Sequence, residues 1–257
     1  MPRLFPKFVQ GARRWFTNFG NGALVVKFEM LSEVNVERAA RRPVIVVTDT
    51  ANGEQRLVKA RDIATDPLRA DLTKQLRMGK SGMIEAAGKK LFLNVYAPTA
   101  KLVIVGAVHI SQALAPLARS LDYDVTVVDP RTAFASPERF PDVPLVAEWP
   151  DVALPPLHVD HYTAFVALTH DPKIDDPALM HAFQRDCFYI GALGSRKTHA
   201  KRGERLKAQG ATDADIARIH APIGLPIGAV SPSEIAVAIM AEITAQLRLP
   251  KEKEQAA

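Results

Sequence analysis

A doubly wound, mainly parallel α/β sheet with a smaller α+β domain ahead of it is the fold this sequence predicts, on three observations. The first is Leu102-Val-Ile-Val105, an apolar run without alternation that suits a strand buried on both faces and ends at Gly106. The second is the helical spacing of Ala113, Leu114, Leu117, Ala118 and Leu121 behind it. The third is Val125 to Val128, another buried strand, which ends on Asp129, 23 residues after Gly106. Strand, helix and parallel strand make a Rossmann-like unit, which offers a helix N-terminus to a phosphate and an acid to a ribose hydroxyl. The glycine fingerprint of that unit is broken, because its three positions read Gly106, Val108 and Ser111. A β-branched Val108 obstructs the approach of a pyrophosphate, so the fold is predicted without the usual dinucleotide.

Bulk properties narrow the class. A chain of 257 residues, 47% hydrophobic, can bury a sizeable core and is long enough for two domains. No apolar run approaches the roughly 20 residues of a membrane span, and no apolar leader opens the chain, so a cytoplasmic protein without membrane partners is expected. A lone cysteine, Cys187, excludes an internal disulfide and a thiolate metal site, and its place in an apolar stretch predicts an inert buried thiol. The net charge of +5 resides in residues 1–42, where eight basic side chains face three acidic ones; the remainder balances at 25 against 25. That distribution predicts a basic arm and no nucleic-acid footprint on the body.

Residues 1–30 mix Phe, Trp and basic residues without a period, and are expected to form an arm; Met30 is a candidate alternative start. Residues 31–97 read as the small domain. Val44 to Asp49 is a strand, Asn52-Gly53 a hairpin turn, and Arg56 to Lys59 the return strand. Asp66-Pro67 then opens a helix with Leu68, Leu72 and Leu76 on one face, which Gly79 stops. A second hairpin turns at Gly88-Lys-Lys90, and Ala97-Pro-Thr-Ala100 links to the Rossmann-like domain, 101–249.

In that domain Pro130 to Pro141 is a proline-rich loop at the carboxyl edge of the sheet, where open α/β folds bind ligands. Leu145-Val-Ala is a short strand, and Thr163 to Leu168 a buried one that delivers Thr169-His170-Asp171 at its tip. A helix over Ala178 to Phe183 leads to the strand Phe188-Tyr-Ile190. The turn Gly191-Ala-Leu-Gly194-Ser195-Arg196-Lys197 then enters a helix whose free amides, with Arg196 and Lys197, make an anion site. Lys201 to Lys207 of that helix read as a solvated or partner-docking face. Finally Ser231, Pro232 and Glu234 form a capping box for a helix with the stripe Ile235, Ile239, Ile243 and Leu247.

Three blocks, Gly191 to His199, Arg218-Ile-His-Ala-Pro-Ile-Gly-Leu-Pro-Ile-Gly228 and Glu234-Ile-Ala-Val-Ala-Ile, closely resemble the XdhC/CoxI family in kind and order. The resemblance implies a non-enzymatic accessory protein for molybdenum hydroxylases of the xanthine dehydrogenase type. Such a protein binds molybdenum cofactor, as molybdopterin or a nucleotide form, protects it during sulfuration and helps load it. It further implies the apo-hydroxylase and a cysteine desulfurase as partners, and a homodimer. Relatives open with a cysteine-bearing motif, whereas residues 31–97 contain no cysteine, so no thiolate from that region can contact molybdenum.

An anionic, phosphate-bearing pterin calls for a helix N-terminus, guanidinium groups and hydrogen bonds. The residues expected to supply them are Gly191, Gly194, Ser195, Arg196 and Lys197 for the phosphate, Gly106, His109, Asp129 and Arg131 at the first loop, and Thr169, His170 and Asp171 near the reactive end. An NAD(P)-dependent oxidoreductase and a scaffold that recruits the hydroxylase or a sulfurase are the competing readings; no zinc site is expected.

Overall fold

In the computed structural model, which describes Val26 and residues 28–250, the chain divides between Ala97 and Pro98 into two units. The basic arm, apart from Val26 and Phe28 to Met30, lies outside the described residues.

The first unit contains α1 (Phe28–Ala39), β1 (Val44–Asp49), β2 (Gln55–Lys59), α2 (Arg69–Met78), β3 (Gly82–Ala86) and β4 (Lys89–Tyr96). Its strands pair antiparallel in the order β2-β1-β4-β3. An antiparallel strand usually alternates, yet β1 is apolar from Val44 to Val47 because both its faces are covered. Ile45 and Val47 pack with Leu72 of α2, while Val44 and Val46 pack with Val34 of α1. Sequence reading missed α1, whose apolar stripe is short. The second hairpin turns at Ala87-Gly88, both with positive φ (49° and 74°), one step ahead of the expected turn, so Lys89 and Lys90 belong to β4. Gly79 ends α2 in the left-handed conformation.

The second unit is α/β and Rossmann-like. It runs β5 (Lys101–Val105), α3 (His109–Ser120), β6 (Asp124–Val128), β7 (Leu145–Val146), α4 (Pro150–Ala153), β8 (Thr163–Ala167), α5 (Pro172–Phe183), β9 (Tyr189–Ala192), α6 (Arg196–Ala208), α7 (Asp213–Ala217), β10 (Ile219–His220) and α8 (Pro232–Arg248). The sheet order is β10-β9-β8-β5-β6-β7, all parallel. Leu102 and Ile104 face a core with Leu114 of α3 and Ile239 and Ile243 of α8; Val103 and Val105 face one with Ile174 and Leu179 of α5 and Leu206 of α6. Helices on both faces explain the strands' continuous apolar runs.

Two expectations for this unit shift. Helix α5 begins six residues earlier than its apolar pattern, since Pro172 takes the first position and Asp171 caps it by accepting from Lys173 N at 2.9 Å. The Arg218 block, assigned no regular element above, contributes the edge strand β10. The capping box of α8 is present, with Ser231 and Glu234 satisfying each other's amides. Cys187 is buried just before β9 and burial pushes its thiol up to about 12, so it stays protonated.

Candidate functional site

Strand β5 lies between β6 and β8, so the chain reverses its direction of travel across the sheet at β5/β8. Ligands of open α/β sheets bind at such a reversal, beyond the carboxyl ends of the strands. Three loops emerge there, after β5, β6 and β8, and a fourth follows at β9.

The loops after β5 and β6 are closed on themselves. Asp129 is fully buried, and its carboxylate accepts from Ala107 N (2.7 Å), Arg131 N (2.9 Å), Arg131 Nε (2.9 Å) and Arg131 Nη2 (2.7 Å). Four donors fill what a carboxylate can accept. Burial pushes the Asp129 carboxyl up, and these bonds more than reverse that, leaving it below the ordinary range. Asp129 therefore caps the turn from β5 into α3 and has no acceptor left for a ribose hydroxyl. Arg131 is held beside it and lies over the Phe134 ring at 4.5 Å. Gly106, at φ +117°, is required by packing: a Cβ there would meet Thr169 Cγ2 at 2.8 Å. Ser111, which replaces the third fingerprint glycine, is buried and donates to Gly106 O. His109 is exposed at the start of α3.

The loop after β8 is organised by a residue that sequence reading overlooked, Asp175 of α5. Its buried carboxylate accepts from Thr169 N (3.2 Å), Thr169 Oγ1 (2.7 Å) and His170 N (3.0 Å). These bonds hold His170 in the left-handed conformation (φ 63°), uncommon for any residue but glycine. Burial raises the Asp175 carboxyl above the ordinary range in spite of them. Thr169 and Asp171 are thus spent on loop closure and capping, whereas the exposed His170 borders a cavity.

That cavity, of about 220 Å³, lies between α5 and α6 and is lined by His170, Pro172, Asp175, Lys197, Thr198, Lys201, Arg202 and Arg205. Positions 197, 198, 201, 202 and 205 share one helical face. Ser195 caps α6 by accepting from Thr198 N at 3.2 Å, so the Arg196 and Lys197 amides at the helix start have no intrahelical acceptor. Gly194, at φ 138°, makes the turn. Gly191 lies inside β9, where Ile223 fills the space of its missing side chain at 2.5 Å. Gly194 to Lys197 and His170 are brought to one edge; Gly106, Asp129 and Gly191 hold the scaffold behind it.

The face over Lys201 to Lys207, expected to be solvated or partner-docking, needs correcting at Arg202 and Arg205, whereas Lys201 and Lys207 are exposed. Arg202 is only 2% exposed, donates from Nη2 to Leu193 O at 2.7 Å and stands 4.0 Å from Asp175 Oδ2. Arg205 turns inward to Asp176, with bonds of 2.7 and 3.0 Å. A signal was present: Arg202 precedes Leu206 by one turn, and Leu206 is the large aliphatic side chain that anchors α6 in the core.

Residues 102–243 match the model of the XdhC Rossmann domain. The chain belongs to the XdhC family. It is 32% identical over 183 residues to the uncharacterized protein YqeB of Escherichia coli, covering 65% of this chain and 32% of that one. With a Bacillus subtilis protein named as a probable xanthine dehydrogenase subunit it is 32% identical over 154 residues, covering 60% and 44%. With the molybdenum cofactor insertion chaperone PaoD of Escherichia coli it shares 30% identity over 159 residues, covering 62% and 43%. The matched stretch therefore spans less than half the length of each of these relatives. A crystal structure described as a xanthine dehydrogenase from Bacillus halodurans shares the fold at a TM-score of 0.60 and 22% identity, covering 87% of this chain and 65% of that one. Among the described residues, no three His, Cys, Asp or Glu side chains gather as a metal site, and no helix is long and apolar enough to cross a membrane.

Proposed function

We propose that this protein is an accessory chaperone of molybdenum-cofactor delivery, with no turnover of its own. It holds the pterin cargo at the carboxyl edge of β5, β8 and β9, protects it while a cysteine desulfurase installs the terminal sulfur, and passes it to an apo molybdenum hydroxylase of the xanthine dehydrogenase type. It acts in the cytoplasm as a homodimer. The observation that carries the reading is the cation-lined cavity beside the start of α6, in a family with a relative named for cofactor insertion. An anionic, phosphate-bearing molecule suits that edge, where helix amides and Lys197 converge. Gly194, Ser195, Arg196 and Lys197 receive its phosphate end, and His109, Arg131 and His170 border the pterin. Gly106, Asp129, Thr169, Asp171 and Gly191 shape the loops.

Against an NAD(P)-dependent oxidoreductase stands the Asp129 carboxylate, whose four acceptor directions are taken by Ala107 and Arg131. Mass spectrometry of small molecules released from freshly purified protein tests the proposal. Recovery of molybdopterin or its nucleotide form is the expected result. Protein that neither retains nor protects it, in cells whose hydroxylase stays fully active when this gene is deleted, overturns the reading.

A further inference from the structure

Arg202 is almost completely buried, and its Nε and Nη1 have no partner among the described residues. Buried arginines normally have their donors met. The nearest acid does not complete it, because Asp175 directs its oxygens at Thr169 and His170 and only approaches Nη2, at 4.0 Å. Arg205, also in the cavity wall, is already matched by Asp176. What remains around the cavity is an unmet buried guanidinium, the exposed ammonium groups of Lys197 and Lys201, and the starts of two long helices, α5 and α6. Three cations and the start of α6 stand against the Asp175 carboxylate, while Asp171 caps the start of α5, and the balance leaves a positive hollow.

We propose that this cavity is a binding site for a phosphate-type dianion, anchored by Arg202 and flanked by Lys197 and Lys201. Its size fits that class. About 220 Å³ is below the roughly 300–1,000 Å³ that encloses a drug-sized molecule, so the cavity admits a charged end group and leaves the rest of a ligand outside. A dianion seated against Arg202 supplies the counter-charge that Asp175, 4.0 Å away, gives only in part, and so offsets the cost of burying the guanidinium. The site stands on the geometry of this cavity; that its phosphate belongs to a pterin cargo rests on the function proposed above.

Titration of the full chain with inorganic phosphate, followed by calorimetry and phosphorus NMR, tests the site. Saturable binding is expected, and R202Q weakens it by roughly tenfold to a hundredfold, the loss of one charge-assisted hydrogen bond. K197A with K201A weakens it less, and more so at low salt. Absence of saturable binding, or R202Q binding like wild type, overturns the proposal. If R202Q does not fold, the two exposed lysines decide: unchanged binding in K197A/K201A at low salt overturns it. Molybdopterin retention separates the two proposals. Retention that R202Q leaves intact and phosphate does not compete sinks the assignment of this site to the pterin's phosphate and spares the chaperone reading. Phosphate binding through Arg202 without any pterin retention sinks the chaperone reading and spares the site.

Discussion

Two arginine–aspartate pairs stand at the same edge of the same sheet and are built in opposite ways. Arg131 grips Asp129 at 2.7 Å, every acceptor direction of the acid is filled, and the pair closes the loops after β5 and β6. Arg202 stops 4.0 Å short of Asp175, whose oxygens serve loop amides and a hydroxyl instead. Protonation equilibria register the contrast. Burial raises both acids, but only at Asp129 do the bonds from Arg131 and Ala107 outweigh it; the bond to Asp129 raises Arg131, whereas desolvation lowers Arg202. The satisfied pair is scaffold, and the unmet Arg202 is the buried cation that the proposed dianion would answer.

The largest effect that sharpens this contrast is expected from D129A. It strands the Ala107 amide and leaves Arg131 without its acid. Removing one partner of a fully buried pair costs roughly 3–5 kcal/mol, and since Arg131 is 32% exposed a loss of about 3 kcal/mol in urea unfolding is expected. Phosphate binding by the folded fraction stays unchanged; a variant as stable as wild type would contradict the scaffold role. Next comes G106A, which forces a side chain into φ +117° and against Thr169, at a cost of about 2 kcal/mol by the same measurement.

Acid should act on the two pairs with opposite sign. Asp129 has a depressed folded pKa, so its contribution is present above the unfolded carboxylate value of about 3.9 and is lost as pH falls through the folded value. Asp175 has a raised folded pKa, so its contribution is present below about 3.9 and is lost as pH rises through the folded value. Unfolding followed from neutral pH down to about 3 should show D129N losing less stability than wild type, and D175N lacking the component that wild type gains on acidification. The smallest effect belongs to R202M, which removes an incompletely bonded buried charge. In phosphate-free buffer its stability stays within about 1 kcal/mol of wild type, and added phosphate no longer raises its melting temperature. A loss of several kcal/mol would place Arg202 with the scaffold.

Much of the molecule was legible from its residues alone. Unalternating runs such as Leu102 to Val105 and Thr163 to Leu168 announced strands covered on both faces, and Ser231 with Glu234 announced a helix start, because burial and capping leave local patterns. The edge residues Gly194 to Lys197 and His170 were placed by the same logic, as termini of those strands. Short elements were harder. Helix α1 and the two-residue β10 owe their form to neighbours, Val44 and Val46 in one case and β9 in the other.

By itself, then, the sequence determined the layers, the parallel sheet and the strands whose carboxyl ends share one edge, since periodicity reports which side of an element is buried. Only the tertiary structure decided what each polar group at that edge is bonded to. Asp129 is consumed by Arg131, two residues on, together with the Ala107 amide 22 residues back, and Arg202 is left unmet because Asp175 of another helix is turned to the Thr169–His170 loop; spacing carries no record of which of these groups meet.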